Sequence, residues 1–250
     1  MPESDAPLSN VPPEGSLGLL AYGWRGVVAW RAARGTVWRE ELRREVGGGR
    51  TEADPTHEPD PAALAGAALV VVSGLPRTGT SMMMQMLTAG GLPAFTDEAR
   101  AADASNPRGY YEHARVKGLA RDRAWVPEAD GHVVKVVAPL LPFLPPGARY
   151  RVVMMERDLD EVLASQAAML TASGHTPAPP DVLRAVYAQR LAAARAWADE
   201  TPGAERLSIP YADAIADPAG VARRVAAFVG GLDPAPMAAA VDRSLHRQRA

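Results

Sequence analysis

The amino-acid sequence predicts an α/β fold, in which helices flank a central, mostly parallel sheet in three layers. Two observations favour this class. Short apolar runs rich in β-branched residues alternate with helix-like segments from about residue 63 onward, which is typical of parallel sheets. The first run, AALVVVS at residues 67–73, is apolar at consecutive positions, as expected for a strand buried on both faces.

The remaining elements of this domain follow in order. Residues 80–90 (TSMMMQMLTAG) predict a helix, and their Met residues line either an apolar pocket or, more commonly, the core. Residues 158–170 begin with acids, which the helix dipole favours in a first turn, and predict a second helix. We expect further strands at 132–137, 150–155 and 206–209, a loop at 177–180, and helices at 181–200, 218–229 and 234–245.

The N-terminal part of the chain is predicted to lie outside this domain. Residues 1–15 are acidic and Pro-rich and predict a disordered lead-in. Residues 16–62 predict a helical extension followed by a linker rich in Gly, Pro and acidic residues. The Arg residues of this extension indicate either a surface for a membrane or partner, or the solvent face of helices packed on the main domain at 63–250.

Composition excludes several classes of protein. The 250 residues contain no Cys, which excludes disulfides and Cys-ligated metals and fits a reducing compartment. A net charge of −2, from 27 basic and 29 acidic residues, argues against nucleic acid as a partner. Neither a run of 18 uncharged apolar residues nor a basic, then apolar start is present. We therefore expect no transmembrane segment and a cytoplasmic location.

A Gly-rich segment, SGLPRTGTS at residues 73–81, joins the first strand to the first helix. Such a loop can bind phosphate, because N–H groups at the helix start point into the turn and the helix dipole adds positive potential. The segment departs from the nucleotide-triphosphate pattern G-x-x-x-x-G-K-[ST], because Thr80 occupies the Lys position and the cation is Arg77, inside the loop. A guanidinium there would offer a fork of donors to a terminal phosphate and its attached group.

The sequence GLPRTGTS at residues 74–81 resembles the phosphosulfate loop of the sulfotransferases that use 3′-phosphoadenosine 5′-phosphosulfate. In that family the loop binds the 5′-phosphosulfate, with Lys or Arg at the position of Arg77. The resemblance extends over roughly residues 67–231 and implies a P-loop-like fold. It also implies that the donor is bound by the loop residues Arg77, Thr78, Gly79, Thr80 and Ser81.

A second anion site is predicted after the strand at 150–155. Arg157 follows this strand and Ser165 lies eight positions later, a spacing that resembles the family's 3′-phosphate site. Arg157 leaves the strand at the carboxyl edge of the sheet, where ligands of open α/β folds bind, and a charged fork and a hydroxyl can together fix a phosphate. The alternative is an ordinary helical Ser and an ion pair of Arg157 with Glu156, Asp158 or Asp160.

Residues 207–230 resemble a third family segment, in which Tyr-Glu-Asp follows a strand. Tyr211 and Asp213 match it, whereas Ala212 replaces the Glu. The resemblance implies that Tyr211 lies near the adenine of the donor. The alternative is that Tyr211 belongs to the core.

Lys135, on a predicted strand, resembles the family's Lys that contacts the bridging or sulfuryl oxygen. Val137 stands where the cytosolic members have a His base, so the general base must lie elsewhere.

Glu98 lies 21 residues after Arg77 and matches the Glu base of other branches, a role that is chemically adequate if burial raises its pKa. Asp97 would orient it, and Glu112 and His113 are the alternative bases.

These features predict an enzyme that moves a sulfuryl group from phosphoadenosine phosphosulfate to a hydroxyl or amine of a small-molecule or carbohydrate acceptor. No metal is expected, because the five His residues show no ligand spacing. The alternatives are a kinase that uses ATP and Mg²⁺ with Arg77, Asp158 and Asp160, and a non-catalytic nucleotide-binding domain. The identity of the acceptor and the oligomeric state are not predicted.

Overall fold

A computed structural model of the chain describes residues 58–66, 68–97, 109–172 and 179–242. Within these ranges four strands form one sheet, in which every neighbouring pair runs parallel. Strand β1 (Leu69–Gly74) lies between β2 (Val133–Lys135) and β3 (Tyr150–Glu156), and β4 (Ala204–Pro210) follows β3 at the edge. The predicted α/β class with a parallel sheet is confirmed.

Helices and 3-10 turns connect the strands of the described ranges. The helices are α1 (Thr80–Ala89), α2 (Ala114–Lys117), α3 (Leu159–Ala172), α4 (Pro180–Glu200), α5 (Tyr211–Ala216), α6 (Pro218–Val229) and α7 (Pro234–Ala239). The 3-10 turns are Pro61–Ala65, Val126–Ala129 and Ala138–Phe143. Of these helices, none combines the length and the apolar character that crossing a bilayer requires.

One face of the sheet carries the main apolar core. All six residues of β1 are buried, as their apolar sequence predicts. Val70, Val72 and Val153 pack in one cluster with side chains of α1, α6 and α7. Burial of each such side chain contributes about 1.5–3 kcal/mol. The fully buried Met residues of α1 belong to the same cluster and are therefore part of the core, the commoner of the two alternatives. They are Met83, Met84 and Met86.

The opposite face of the sheet is covered in part by α4. The ring of Tyr150 lies 5.6 Å from that of Trp197, between centroids, and its hydroxyl donates to the carbonyl of Pro145 at 2.6 Å. Burial raises the pKa of Tyr150 above its ordinary value. Helices on both faces agree with the three-layer arrangement that the sequence predicts.

The chain divides into two compact units. The first consists of residues 56–166 and 181–250 and contains the whole sheet. The second consists of residues 1–55 and 167–180, of which the structure describes 167–172, the last part of α3, and residues 179 and 180. The predicted lead-in at 1–15 lies outside the described residues. So does the predicted extension at 16–62, apart from residues 58–62.

Element boundaries differ from the prediction where Pro or Ala dominates the sequence. The strand predicted at 132–137 is limited to Val133–Lys135, and a 3-10 turn with Pro139 and Pro142 follows it. Pro lacks the N–H that would extend a strand. The helix predicted at 234–245 ends at Ala239, within an Ala-rich run that has no stop signal. Helix α5, which begins directly after β4, was not predicted.

Candidate anion-binding site

The strand order brings the two predicted anion-binding segments to one edge of the sheet. From β1 the chain crosses to β2 on one side, and from β3 it crosses to β4 on the other. The adjacent strands β1 and β3 therefore form a topological switch point, where loops leave in opposite directions and open a crevice. The loop after β1 and Arg157 after β3 both lie at the carboxyl end of these strands.

The loop between β1 and α1 is built around two Gly residues with positive φ. A Cβ on Gly74, whose φ is 149°, would lie 2.6 Å from the carbonyl oxygen of Met155. A Cβ on Gly79, whose φ is 93°, would lie 2.6 Å from Cδ2 of Tyr211. The hydroxyl of Thr78 donates to the carbonyl of Leu75 at 2.8 Å and closes the turn. Only Gly fits these two positions, so the loop backbone approaches β3 and α5 closely.

Arg77 lies in the left-handed region, with a φ of 70°, inside this loop. Tyr111, with a φ of 53°, is the other non-Gly residue with positive φ in the described ranges. Such conformations cost about 1–3 kcal/mol each and occur often at functional sites. The strained backbone therefore marks Arg77 as a candidate functional residue.

The side chain of Arg77 contacts the segment after β3 directly. Its Nε donates to the hydroxyl of Ser165 at 3.0 Å, and Ser165 is only 3% exposed on α3. Nη1 of Arg157 donates to the backbone carbonyl of Arg77 at 3.2 Å. The residues predicted for the two ends of the donor thus meet at the switch point.

Arg157 also contacts an acidic side chain and an aromatic ring. Its Nε donates to Oε2 of Glu161 at 2.6 Å, and its guanidinium carbon lies 4.5 Å from the ring centroid of Tyr211. An ion pair of Arg157 was expected as an alternative with Glu156, Asp158 or Asp160, but the observed partner is Glu161. Glu161 was not predicted, although its i,i+4 spacing from Arg157 is the signal that would have identified it.

The three acids that the alternatives invoked have other roles. Arg195 binds Glu156 through two of its guanidinium nitrogens, with Nε to Oε1 at 3.0 Å and Nη2 to Oε2 at 2.7 Å. Asp158 accepts from the backbone N–H of Asp160 at 2.8 Å, at the start of α3, and the carboxylate of Asp160 pairs with Arg184. In the described parts of the chain no group of three or more His, Asp or Glu residues could hold a metal ion.

Tyr211 is the first residue of α5 and is only 7% exposed. Burial raises its pKa, an effect that the nearby charge of Arg157 partly offsets. Tyr211 also belongs to the core cluster, so it combines a core position with contacts to Arg157 and Gly79.

Lys135, the last residue of β2, connects the loop to the segment around residue 110. Its Nζ donates to the carbonyl of Tyr110 at 2.7 Å and to the hydroxyl of Ser81 at 3.3 Å. The carboxylate of Glu112 lies 3.7 Å from the same Nζ. A buried Lys surrounded by such acceptors is a fixed positive charge at the edge of the loop.

The predicted base Glu98 lies outside the described residues, whereas its alternatives are described. Glu112 pairs with Lys117 as well as with Lys135, at 3.7 Å in each case. Nδ1 of His113 accepts the N–H of Arg115 at 3.2 Å, so the neutral ring carries its proton on Nε2 and offers no lone pair there. Of these two alternatives, Glu112 is the one that combines a carboxylate with contact to Lys135.

Asp97 lies beside a cluster of stacked rings. Asp97 accepts the N–H of Ala114 at 2.6 Å and lies 3.8 Å from Nδ1 of His113. The ring of His113 stacks on Phe95, with centroids 4.5 Å apart, and Phe95 stacks on the buried Trp125 at 5.4 Å. Asp97 therefore fixes the start of α2, and stacking on Phe95 orients the ring of His113.

Ser73, the residue that precedes the loop glycine, carries an unsatisfied polar group. It is fully buried, and its hydroxyl has no hydrogen-bond partner among the described residues. The same holds for Oε1 of Gln166, which follows Ser165 on α3. Unpaired buried polar atoms cost about 1–3 kcal/mol each, so a folded protein contains few of them.

No family model matches the chain, and no curated protein matches it. Among solved structures it is similar to a sulfotransferase from Mycobacterium tuberculosis H37Rv, with 15% identity and a TM-score of 0.45 over 76% of this chain and 74% of that chain. It is also similar to a sulfotransferase domain from the curacin biosynthetic pathway, with 14% identity and a TM-score of 0.42 over 71% and 88%. A third is the sulfotransferase domain of the Synechococcus PCC 7002 olefin synthase, with 13% identity and a TM-score of 0.41 over 80% and 85%.

Proposed function

We propose that the chain is a sulfotransferase that moves a sulfuryl group from 3′-phosphoadenosine 5′-phosphosulfate to a hydroxyl or amine of a small-molecule or carbohydrate acceptor. The observation that carries the proposal is the meeting of Arg77, Arg157 and Ser165 at the switch point of the sheet. A donor with anionic groups on both the 3′ and 5′ positions requires two cationic groups within the span of one nucleotide, and Arg forks suit such groups.

The residues of the loop fit the 5′ end of this donor. Gly79 directly precedes α1, so the loop ends at the N-terminus of this helix. The N-terminus offers a phosphate its free backbone N–H groups and the positive end of the helix dipole. In the proposal Arg77, Thr78, Gly79, Thr80 and Ser81 bind the 5′-phosphosulfate. Arg157 and Ser165 bind the 3′-phosphate, with Tyr211 beside them.

Catalysis of sulfuryl transfer depends on positive charge that stabilises the transition state, and it does not require a covalent intermediate with the protein. The sulfur–oxygen bond to the 5′-phosphate breaks while a new bond forms from sulfur to the oxygen of a hydroxyl acceptor or the nitrogen of an amine acceptor. The acceptor's proton passes to the general base, and the products are adenosine 3′,5′-bisphosphate and the sulfonated acceptor. Arg77 and Lys135 would stabilise the charge that develops on the moving group and on the leaving phosphate. The contact of Lys135 with Ser81 supports its place beside the loop.

The acceptor's proton requires a general base in the same site. We propose Glu98 in this role on the basis of its distance from Arg77 in the sequence, with Asp97 in an orienting role. Glu112 is the candidate to replace it, because its carboxylate lies 3.7 Å from Lys135. The absence of Cys and the near-neutral charge support a cytoplasmic enzyme without a nucleic-acid partner.

The test is binding of adenosine 3′,5′-bisphosphate, measured by calorimetry without Mg²⁺. We expect the natural chain to bind it, and Arg77→Ala and Arg157→Ala each to weaken binding by about tenfold or more, since a hydrogen bond to a charged group is worth roughly 1.5–3 kcal/mol. Arg149→Ala is the matched control, because Arg149 is an exposed residue that precedes the opposite end of β3.

Two results would contradict the proposal. One is binding of ATP with Mg²⁺ by a chain that does not bind the bisphosphate, which would favour a kinase. The other is an Arg149→Ala effect as large as that of Arg157→Ala, which would mean that the loss reflects general destabilisation rather than the site.

A further inference from the structure

The resemblance predicts Tyr211 near the adenine of the donor, and its contacts in the structure include the guanidinium of Arg157 and the loop residue Gly79. We propose that Tyr211 is a positioning residue that holds the guanidinium of Arg157 in the orientation in which it binds the 3′-phosphate. This inference rests on the proposed function and concerns the same site. The inference places the ring of Tyr211 in support of 3′-phosphate binding rather than in contact with the adenine.

The register of the sheet explains why the two residues meet. The last pair of β3 and β4 is Glu156 with Pro210. Arg157 and Tyr211 are the next residues on these neighbouring strands, so both leave the sheet at the same edge. The contact is therefore a consequence of strand pairing.

The ring of Tyr211 is enclosed by the loop and by Arg157. The guanidinium carbon lies 4.5 Å from the ring centroid, within the range of a cation–π contact. The ring edge packs against Gly79, where a Cβ would lie 2.6 Å from Cδ2 and 3.0 Å from Cε2. With 7% of the residue exposed, little ring surface is left for a stacked base.

The contacts of Arg157 complement one another. Glu161 at 2.6 Å and the carbonyl of Arg77 at 3.2 Å accept from N–H groups at the edge of the planar guanidinium. Tyr211 adds support from its face, which neither of these acceptors supplies. A guanidinium held in this way before the ligand arrives loses less conformational freedom on binding, which strengthens binding.

A double-mutant cycle with two ligands tests this role. Tyr211→Met keeps an apolar side chain among the Met residues of the core and removes the aromatic face, and Tyr211→Phe is the control that keeps the face. Calorimetry would measure the affinity of the natural chain, of both Tyr variants, of Arg157→Ala and of the Arg157→Ala/Tyr211→Met double variant. The ligands are adenosine 3′,5′-bisphosphate and adenosine 5′-monophosphate, which lacks the 3′-phosphate.

We expect Tyr211→Met to weaken bisphosphate binding by about 5- to 20-fold, the range of a desolvated cation–π contact. Tyr211→Phe should stay within about twofold of the natural chain, because the phenol hydroxyl is not needed for this contact. In the Arg157→Ala background the same Tyr211→Met change should add less than about twofold, because the coupled partner is already gone. Monophosphate affinity should be nearly unchanged by Tyr211→Met, by Tyr211→Phe and by Arg157→Ala.

The opposite pattern would overturn the inference. If Tyr211→Met weakens both ligands equally, and does so again without Arg157, the ring contacts the base or only supports the fold. An unchanged bisphosphate affinity would also refute it. If the natural chain does not bind the bisphosphate, the proposed function itself fails, so the two failures are distinguishable. Thermal melting would verify folding of each variant, and Tyr211→Leu would replace Tyr211→Met if the latter does not fold.

Discussion

At the scale of single residues, the two lysines of the chain have contrasting surroundings although both pair with Glu112. The side chain of Lys117 is 56% exposed and that of Lys135 is 6% exposed. Exposed ion pairs contribute little, whereas a buried charge with fixed acceptors acts in a low dielectric and exerts a strong local field. This contrast makes Lys117 a natural control for the proposed role of Lys135.

We expect Lys135→Ala to lower kcat by about 100-fold or more, the usual cost of losing one charge-stabilising donor in an active site. Bisphosphate affinity should change much less, because the product no longer carries the sulfuryl group. Lys117→Ala should leave both quantities close to those of the natural chain. The measurement is transfer from labelled donor to an acceptor found by screening acceptor classes. Equal losses in the two variants would argue against this role.

At the scale of elements, a polar network connects β3, β4 and α4 next to the site. The carboxylate of Glu156 accepts from Arg195 of α4 and from the hydroxyl of Ser208 at 3.0 Å. Arg206 binds Asp199 with two hydrogen bonds of 2.9 Å and also contacts Ser208. Because Glu156 directly precedes Arg157, this network fixes the end of the strand from which Arg157 leaves.

We expect Glu156→Gln to destabilise the fold by about 1–2 kcal/mol, the cost of weakening charge-assisted hydrogen bonds in a partly exposed pair. This corresponds to a decrease in melting temperature of about 2–8 °C for a protein of this size. Glu205→Gln on the exposed side of β4 is the control and should stay within about 0.5 kcal/mol. A similar loss in the control would show that Glu156 has no special part in holding the strand end.

The element scale also shows what the sequence can and cannot predict. The buried strand β1 was predictable because its run of β-branched residues can be recognised without knowledge of its neighbours. The resemblance of the Arg157–Ser165 spacing to the family's 3′-phosphate site predicted these residues near the loop, where the structure has them. The pairs Arg157–Glu161 and Lys135–Glu112 were not predicted, and the second joins residues 23 positions apart in the sequence, one on β2 and one in a loop. The positive φ of Tyr111 was likewise not predicted.

At the scale of the whole molecule, the burial of tyrosines makes the free energy of unfolding decrease as the pH rises into the alkaline range. Burial raises the pKa of Tyr187 on α4 to about 12, while in the unfolded chain a phenol titrates near its ordinary pKa of 10.0. Tyr150 is shifted in the same direction by the same cause. The unfolded state therefore loses protons first as pH rises. This contribution to stability is complete below pH 10 and is lost as pH rises toward 12.

Tyr187→Phe isolates one part of this dependence. Between pH 10 and 12, Tyr187 should lower the free energy of unfolding by up to about 1.4 kcal/mol per pH unit, and the Phe variant lacks this contribution. We expect urea unfolding curves of the two proteins to run parallel from pH 7 to 9 and to diverge above pH 10, with the variant losing stability more slowly. Identical slopes above pH 10 would mean that the phenol of Tyr187 reaches water before the chain unfolds. In that case the packing of α4 against the sheet would be looser than the buried Tyr187 indicates.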